Sequence, residues 1–466
     1  MTSDRPNILW YCTDQQRFDT IGALGNPHVR TPVIDQLVAD GVAFTHAHCQ
    51  SPICTPSRAS FMSGMYPSRV HNTRNGNATF PDSPPLISKL IADQGYDCGM
   101  IGKFHLQSSG KRTEPRIKDD GYRYWKFSHA PRNDWPEGEH DYADWVREKG
   151  GDLDALRLSP ERVPPEYHQT TWSTERAIEF IEEDRGDAPW MLNLNIYDPH
   201  PPFEPPKVYE DQFDADSMPG PHFEETDIEQ QARLSGADFQ PRGEMDAKEA
   251  QAKYYAMIAQ IDDQFGRLLD YLDRTGQREN TVIIFTSDHG ETLGDHGLMF
   301  KGCRFYEGLI RVPLIFSFPE KFQTGIKSDE LVELLDLSAT LLDLAGAEIP
   351  DYHQGKSLVP ILSGNSGETP FRDFVRCEYF DALAAHFTGG NGSFATMHRT
   401  RDFKLSVYHN LDNVGELYDL KNDPWEHRNL WDSPAHQSLK HQLILESFNA
   451  HVNLTTDVGS ERIAPM

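Results

Sequence analysis

Short apolar runs of strand type recur along the chain, and nearly every one is followed at once by a cluster of chemically competent polar residues. Residues 7–13 (NILWYCT) lead to Asp14-Gln15, and Gly99-Met100-Ile101-Gly102 leads to Lys103 and His105. Residues 190–196 lead to Asp198 and His200, and 281–286 lead to Asp288-His289. Runs that are continuously apolar rather than alternating are buried on both faces, as in a parallel sheet covered by helices. Helical patterns lie between them: 32–40 closed by Gly41, and 253–273 with Tyr254, Ile258, Ile261, Phe265, Leu268 and Leu272 at helical spacing. Residues 313–318 read as a further strand. The predicted fold is α/β, a large, mostly parallel sheet sandwiched by helices. In such open sheets the carboxyl ends of the strands line one crevice, so the polar clusters are predicted to form a single site.

A second feature fits that crevice. Cys54-Thr55-Pro56-Ser57-Arg58 places a thiol, a helix-compatible proline and an arginine within five residues. Pro56 suits the first turn of a helix, where its missing N–H costs nothing, so Cys54 is predicted at a helix N-terminus. The thiol then faces free backbone N–H groups and the positive end of the helix dipole, with Arg58 one turn along on the same side, an arrangement made for anionic chemistry.

The net charge of −28 excludes a general affinity for nucleic acid or for an anionic membrane surface, so an anionic substrate must be held by a local basic cluster. No run approaches the roughly 18 apolar residues of a membrane span. The opening Met1-Thr2-Ser3-Asp4-Arg5-Pro6 leads straight toward a strand, which is the start expected of a cytoplasmic chain if it is native; a removed signal peptide would leave the same appearance. The six cysteines form neither a Cys-x-x-Cys pair nor a dense framework, so structural disulfides are not expected.

The Cys-x-Pro-x-Arg pattern at Cys54 resembles the signature of type I sulfatases, in the alkaline phosphatase superfamily. Gly102-Lys103-Phe104-His105 resembles the family's Gly-Lys-Trp-His element with Phe for Trp, and Ser287-Asp288-His289-Gly290 its metal-binding turn, with Lys301 as the lysine that follows. Asp198-Pro199-His200-Pro201-Pro202-Phe203 and the tail Glu416-Leu417-Tyr418-Asp419-Leu420 with Asp423-Pro424 extend the likeness. The resemblance implies oxidation of Cys54 to formylglycine by a formylglycine-generating enzyme. It also implies one divalent metal on Asp14, Gln15, Asp288, His289 and residue 54. Ca2+ is the family's choice; the imidazole leaves room for Mn2+, and an oxygen-rich set also suits Mg2+. Gln15 stands where many members carry a second aspartate, which lowers the charge of the site.

By the same resemblance Arg58, Lys103 and Lys301 supply cations for the sulfate oxygens. His105 orients or deprotonates the hydrated formylglycine, and His200 protonates the departing alcohol. One hydroxyl of the hydrate attacks sulfur, and the other later loses its proton to expel sulfate by C–O cleavage. The implied activity is hydrolysis of a sulfate monoester of a carbohydrate or aryl alcohol. A phosphonate monoester or phosphodiester hydrolase shares the Cys-x-Pro-x-Arg pattern, and a catalytically silent anion-binding relative would carry an unmodified Cys54.

Asn75 and His296 lie close in sequence to the predicted site and are candidate substrate contacts. Trp125, Trp135 and Trp145, in the otherwise unmatched stretch 107–189, can stack on a ring or serve packing. The acidic, Pro-containing stretch 201–248 is a candidate lid. Ser363-Gly364-Asn365-Ser366-Gly367 marks a boundary between a catalytic domain, 1–362, and a smaller C-terminal domain, 363–466. In the latter, 396–400, 404–408 and 416–420 are predicted antiparallel strands before a helix over 434–452. The last residues, 455–466, are too polar to fold alone and are a candidate contact in a homo-oligomer.

Overall fold

A computed structural model describes residues 5–240, 246–365, 367–383 and 392–456. The first four residues, Ser366 of the expected boundary, residues 241–245 of the expected lid and most of the expected contact tail lie outside the described residues.

Nine strands form the main sheet: β1 (Asn7–Thr13), β2 (Val42–His48), β3 (Asp97–Gly102), β4 (Tyr124–Phe127), β5 (Trp190–Asn195), β6 (Thr281–Ser287), β7 (Arg311–Val312), β8 (Leu314–Ser317) and β9 (Ile326–Glu333). The order is β4-β3-β5-β1-β6-β8-β2-β7, with β9 also paired to β2. β4, β3, β5, β1 and β6 are mutually parallel. β8 runs antiparallel to both β6 and β2, so β2 points the same way as the five. A separate antiparallel sheet follows, β10 (Phe374–Phe380), β11 (Phe394–Thr400), β12 (Phe403–Tyr408) and β13 (Gly415–Asp419), and then the helix Gln437–Thr455. Among the described residues no helix is long and apolar enough to cross a membrane, and all six cysteines are free thiols.

The central strand shows why its sequence is continuously apolar. Ile8 to Thr13 are all fully buried. Trp10 packs edge-on against Phe61 of the helix Cys54–Ser63, with ring centroids 5.2 Å apart. Its neighbour Tyr11 projects to the opposite face and meets Phe265 of the long helix Ala247–Arg274 at 4.9 Å. Strand alternation thus places one helix on each face. The predicted core stripe of the long helix is buried throughout. The helix itself starts before the apolar stripe, at Ala247, because Asp246 caps it by accepting from the N–H groups of Lys248 and Glu249.

The backbone makes one tight passage before the site. Gly102 ends β3 with φ +99°, and a Cβ there would lie 1.8 Å from the carbonyl oxygen of Asn195. The next residue, Lys103, donates its N–H to that same carbonyl at 3.1 Å. Only glycine permits both the dihedral and the approach, and this passage aims Lys103 and His105 into the crevice. Gly102→Ala is therefore expected to lower stability by about 2 kcal/mol or more and to displace Lys103. A urea midpoint within error of the parent would show that the strand end relaxes without cost.

Candidate active site

Five parallel strands and β2 all end at one edge of the sheet, and each delivers a functional group there. Asp14 and Gln15 follow β1, Lys103 and His105 follow β3, Asp198 and His200 follow β5, and Asp288 and His289 follow β6. Cys54 opens the helix that β2 feeds, and it is the first helical residue, with Pro56 in the first turn. All ten residues of this helix are buried.

Cys54 is the meeting point. Its Sγ lies 2.9 Å from Lys301 Nζ, 3.1 Å from His289 Nε2, 3.6 Å from Lys103 Nζ and 3.8 Å from Asp14 Oδ1. Burial raises the pKa of the thiol, but Lys103, Lys301 and His289 outweigh it and hold it well below the ordinary value. Burial and the neighbouring Cys54 likewise oppose ionisation of Asp14, yet the charges of Lys103, His200 and Arg58 hold its carboxyl below the usual range.

Asp14, Cys54, Asp288 and His289 each present one donor atom, all within 4.8 Å of one another. This set of buried carboxylates, imidazole and residue 54 fits a divalent ion. The tautomer of His289 fits as well: its Nδ1 lies 2.8 Å from the Gly290 carbonyl and donates to it, which leaves the Nε2 lone pair toward the cluster. Gln15, at φ +69°, donates its backbone N–H to Asp288 Oδ1 at 3.0 Å. Its Oε1 faces the same centre and accepts from Lys301 Nζ at 2.7 Å, and that ammonium is also 3.2 Å from His289 Nε2. One cation in the protein therefore already touches three of the predicted ligands.

Arg58 does something other than reach for the sulfate oxygens. It is fully buried, and its Nε donates to Asp288 Oδ2 at 2.8 Å. One terminal nitrogen donates to the Lys103 carbonyl at 2.7 Å and Asn195 Oδ1 at 3.2 Å, and the other lies 3.5 Å from Asp14 Oδ2. Its donors are spent on fixing two carboxylates, which makes it a positioning residue.

The two histidines flank Cys54. His200 donates from Nδ1 to the Pro201 carbonyl at 2.6 Å, which leaves Nε2 as the nitrogen available to the site. Burial, then Lys301 and Lys103, lower its pKa. Burial and Lys103 push His105 down to about 4, and its Nδ1 is buried without a hydrogen-bond partner. His105 sits at φ +54° and meets the ring of His129 edge-on at 4.8 Å.

The two residues predicted as substrate contacts have protein partners of their own. Asn75 Oδ1 accepts from the Thr55 N–H at 2.9 Å, so it satisfies a free amide at the start of the Cys54 helix. His296 belongs to a different cluster. Its Nδ1 is 2.8 Å from Asp227 Oδ1, its ring stacks on Tyr306 at 3.7 Å, and His427 bonds the other oxygen of Asp227 at 3.1 Å. Gly294 at φ +98° and His296 at φ +54° turn the chain away from the metal-binding turn before this point. The three tryptophans pack: Trp125 against Phe104 and under Arg116, Trp135 against His129 and His140, and Trp145 against Tyr142.

Sequence reasoning missed His129, Tyr197 and Asn195. His129 follows β4 as the other groups follow their strands, so recognition of that strand would have found it. Tyr197, whose ring lies 5.4 Å from Lys103 Nζ and 4.8 Å from His200, and Asn195 flank the Asp198 element on its N-terminal side.

A family model described as "Sulfatase" matches residues 6–347, and one described as "N-sulphoglucosamine sulphohydrolase, C-terminal" matches 294–451. The chain is 29% identical to an arylsulfatase of Clostridium perfringens, covering 93% of this chain and 92% of that one. It is 26% identical to an N-acetylglucosamine-6-O-sulfatase of Bacteroides thetaiotaomicron, covering 94% and 85%. A crystal structure of the phosphonate monoester hydrolase of Agrobacterium radiobacter superposes with a TM-score of 0.81 at 25% identity, covering 96% of each chain.

Arg58→Met tests the positioning role. It leaves two buried carboxylates short of one cation, and a loss of about 3 kcal/mol in metal-free protein is expected. Denaturant unfolding of both forms measures it; a loss below about 1 kcal/mol would show that Lys103 alone compensates them.

Proposed function

We propose that this chain, a member of the sulfatase family, hydrolyses sulfate monoesters of a carbohydrate or aryl alcohol, with residue 54 acting as a formylglycine and one divalent ion, Ca2+, beside it. The observation that carries the reading is the surround of Cys54: a buried residue at a helix start with Lys301, His289, Lys103 and Asp14 all within 3.8 Å of its sulfur. The arylsulfatase and N-acetylglucosamine-6-O-sulfatase relatives support the ester class. A formylglycine-generating enzyme is then a required partner.

Asp14, Gln15, Asp288, His289 and residue 54 would hold the ion, which when bound would supply positive charge for the sulfate oxygens and lower the pKa of a hydroxyl at position 54. Lys103 and Lys301 approach residue 54 with their ammonium groups and take sulfate oxygens as charge spreads over them. Arg58 keeps Asp288 and Asp14 aimed inward. His200, with Nδ1 fixed on the Pro201 carbonyl, delivers a proton from Nε2 to the leaving alcohol oxygen. His105 orients or deprotonates a hydroxyl at residue 54, and its ring is braced by His129.

The likeness to a phosphonate monoester hydrolase favours a second reading, hydrolysis of phosphonate monoesters or phosphodiesters. A diester brings a second organic group that must fit where Lys103 and His105 stand, whereas a sulfate monoester uses those cations directly. With a common leaving group, kcat/KM for the best sulfate monoester is expected to exceed that for the matched phosphonate monoester and phosphodiester by at least about 10²-fold, about 2.7 kcal/mol. A reversed ratio makes the second reading the better one.

The nucleophile has its own test. Intact mass of active protein is expected about 18 Da below the encoded thiol form, and Cys54→Ala should abolish turnover while the protein stays folded. Full activity with an unmodified thiol would end the formylglycine mechanism, and an unmodified, inactive protein in a competent host would mark a silent anion-binding relative.

A further inference from the structure

Beside the catalytic histidines lies a cleft of about 290 Å³, at the lower end of ligand-site sizes and roomy enough for one small ring. Two of the three segments that wall it also carry groups of the site. Ala130 follows His129, whose ring contacts His105, and Pro202 lies two residues after His200. Pro131 and five polar residues, Arg132, Asn133, Asp134, Asp154 and Arg157, complete the lining.

Most of these charges are already occupied. Arg157 forks onto Glu204 at 2.6 and 2.8 Å, which clamps the helix Leu153–Leu158 to the segment after Pro202. Asp134 is paired with Arg112 at 2.9 Å, and Asn133 Oδ1 accepts from the Leu153 N–H at 3.0 Å. Two groups remain. Arg132 is exposed, and among the described residues neither its guanidinium nor the carboxylate of Asp154 has a hydrogen-bond or ion-pair partner. The charge of Arg132 reaches the hydroxyl of Tyr197, whose ring packs against His200 and under Lys103. A largely polar recess thus lies on the segments that carry His129 and His200, with one spare cation and one spare carboxylate.

Resting on the sulfatase reading above, we infer that this cleft is a subsite for a second sugar ring, next to the one bearing the scissile sulfate, whose anionic substituent pairs with Arg132. Asp154 accepts from a ring hydroxyl there. The preferred substrate is then an anionic oligosaccharide, and an isolated aryl sulfate uses none of the cleft. The anion is a carboxylate or a second sulfate, since either offers the oxygens a guanidinium fork takes.

Competition against 4-nitrophenyl sulfate turnover by the formylglycine-containing, metal-replete protein tests this without requiring the competitor to be cleaved. The competitors are N-acetylglucosamine 6-sulfate alone and the same ring linked to glucuronate, to galactose 6-sulfate, or to neutral galactose. The glucuronate or the disulfated disaccharide, and whichever is tighter identifies the anion, is expected to bind at least about tenfold more tightly than the single ring and than the neutral disaccharide. Arg132→Ala should erase that advantage, and Arg132→Lys should keep part of it, with kcat/KM for 4-nitrophenyl sulfate within about twofold in both. No advantage for either anionic disaccharide, or an equal loss on 4-nitrophenyl sulfate in Arg132→Ala, overturns the subsite while wild-type sulfate turnover leaves the sulfatase reading standing. A wild type that turns over no sulfate ester, with the aldehyde verified by mass, overturns that reading and the subsite with it.

Discussion

Two carboxylates with no exposure to water, Asp14 and Asp288, set the terms for everything around them. A charge removed from water is tolerated only when it is paired and hydrogen-bonded, and Arg58 meets that requirement for both at once. Because Arg58 is one turn from Cys54, the ion pairs also fix where the helix begins and so where the thiol points. Lys103 and Lys301 then bring the buried cations to three against these two carboxylates. Glu291, the nearby acid bonded to Gln15, has its pKa raised by burial and so adds less negative charge than a surface glutamate would. A chain with a net charge of −28 thereby gathers three buried cations at one point, which is what an anionic ester needs.

The parts legible in the sequence were those in which one strand carries both its own signal and its functional residue. β1, β3, β5 and β6 are apolar runs ending in Asp14, Lys103, Asp198 and Asp288, and strand direction alone brings those ends together. β2 (VAFTHAH) was not read as a strand, since Thr45 and His46 interrupt its apolar run, yet it delivers Cys54 to the same edge. β4 was missed for a different reason: its four residues, Tyr124–Phe127, are three-quarters aromatic but too short a run to stand out as a strand, and His129 was lost with it.

Other misreadings came from equating nearness in sequence with nearness in space. His296 follows Asp288 by only eight residues, but positive φ at Leu293, Gly294 and His296 turns the chain, and the His296 ring stacks on Tyr306. Asn75 does stay near Cys54, though its oxygen is taken by a backbone amide. For Arg58 the position was right and the partner was not, because a sequence shows that a cation is close to an anionic site without showing which anions its fork meets first.

The small sheet has a physical connection to the chemistry through Glu307, six residues beyond Lys301. Burial opposes its charge, but Arg399 of β11 and Lys404 of β12, each 3.2 Å from its carboxylate, hold its pKa well below the ordinary value. Its backbone N–H donates to Glu426 at 2.7 Å, and Lys404 pairs with that glutamate as well. Just past Glu307 the chain turns back beside the metal-binding turn, where Gly290 donates to the Leu309 carbonyl at 2.7 Å and Glu291 to that of Gly308 at 3.0 Å. One loop therefore carries Lys301 into the site, supports the turn that presents Asp288 and His289, and is anchored at its far end by charges from the second sheet. Among the described residues the antiparallel sheet contributes no group to the cluster around Cys54, yet the loop that carries Lys301 is anchored by a buried ion network that the sheet completes.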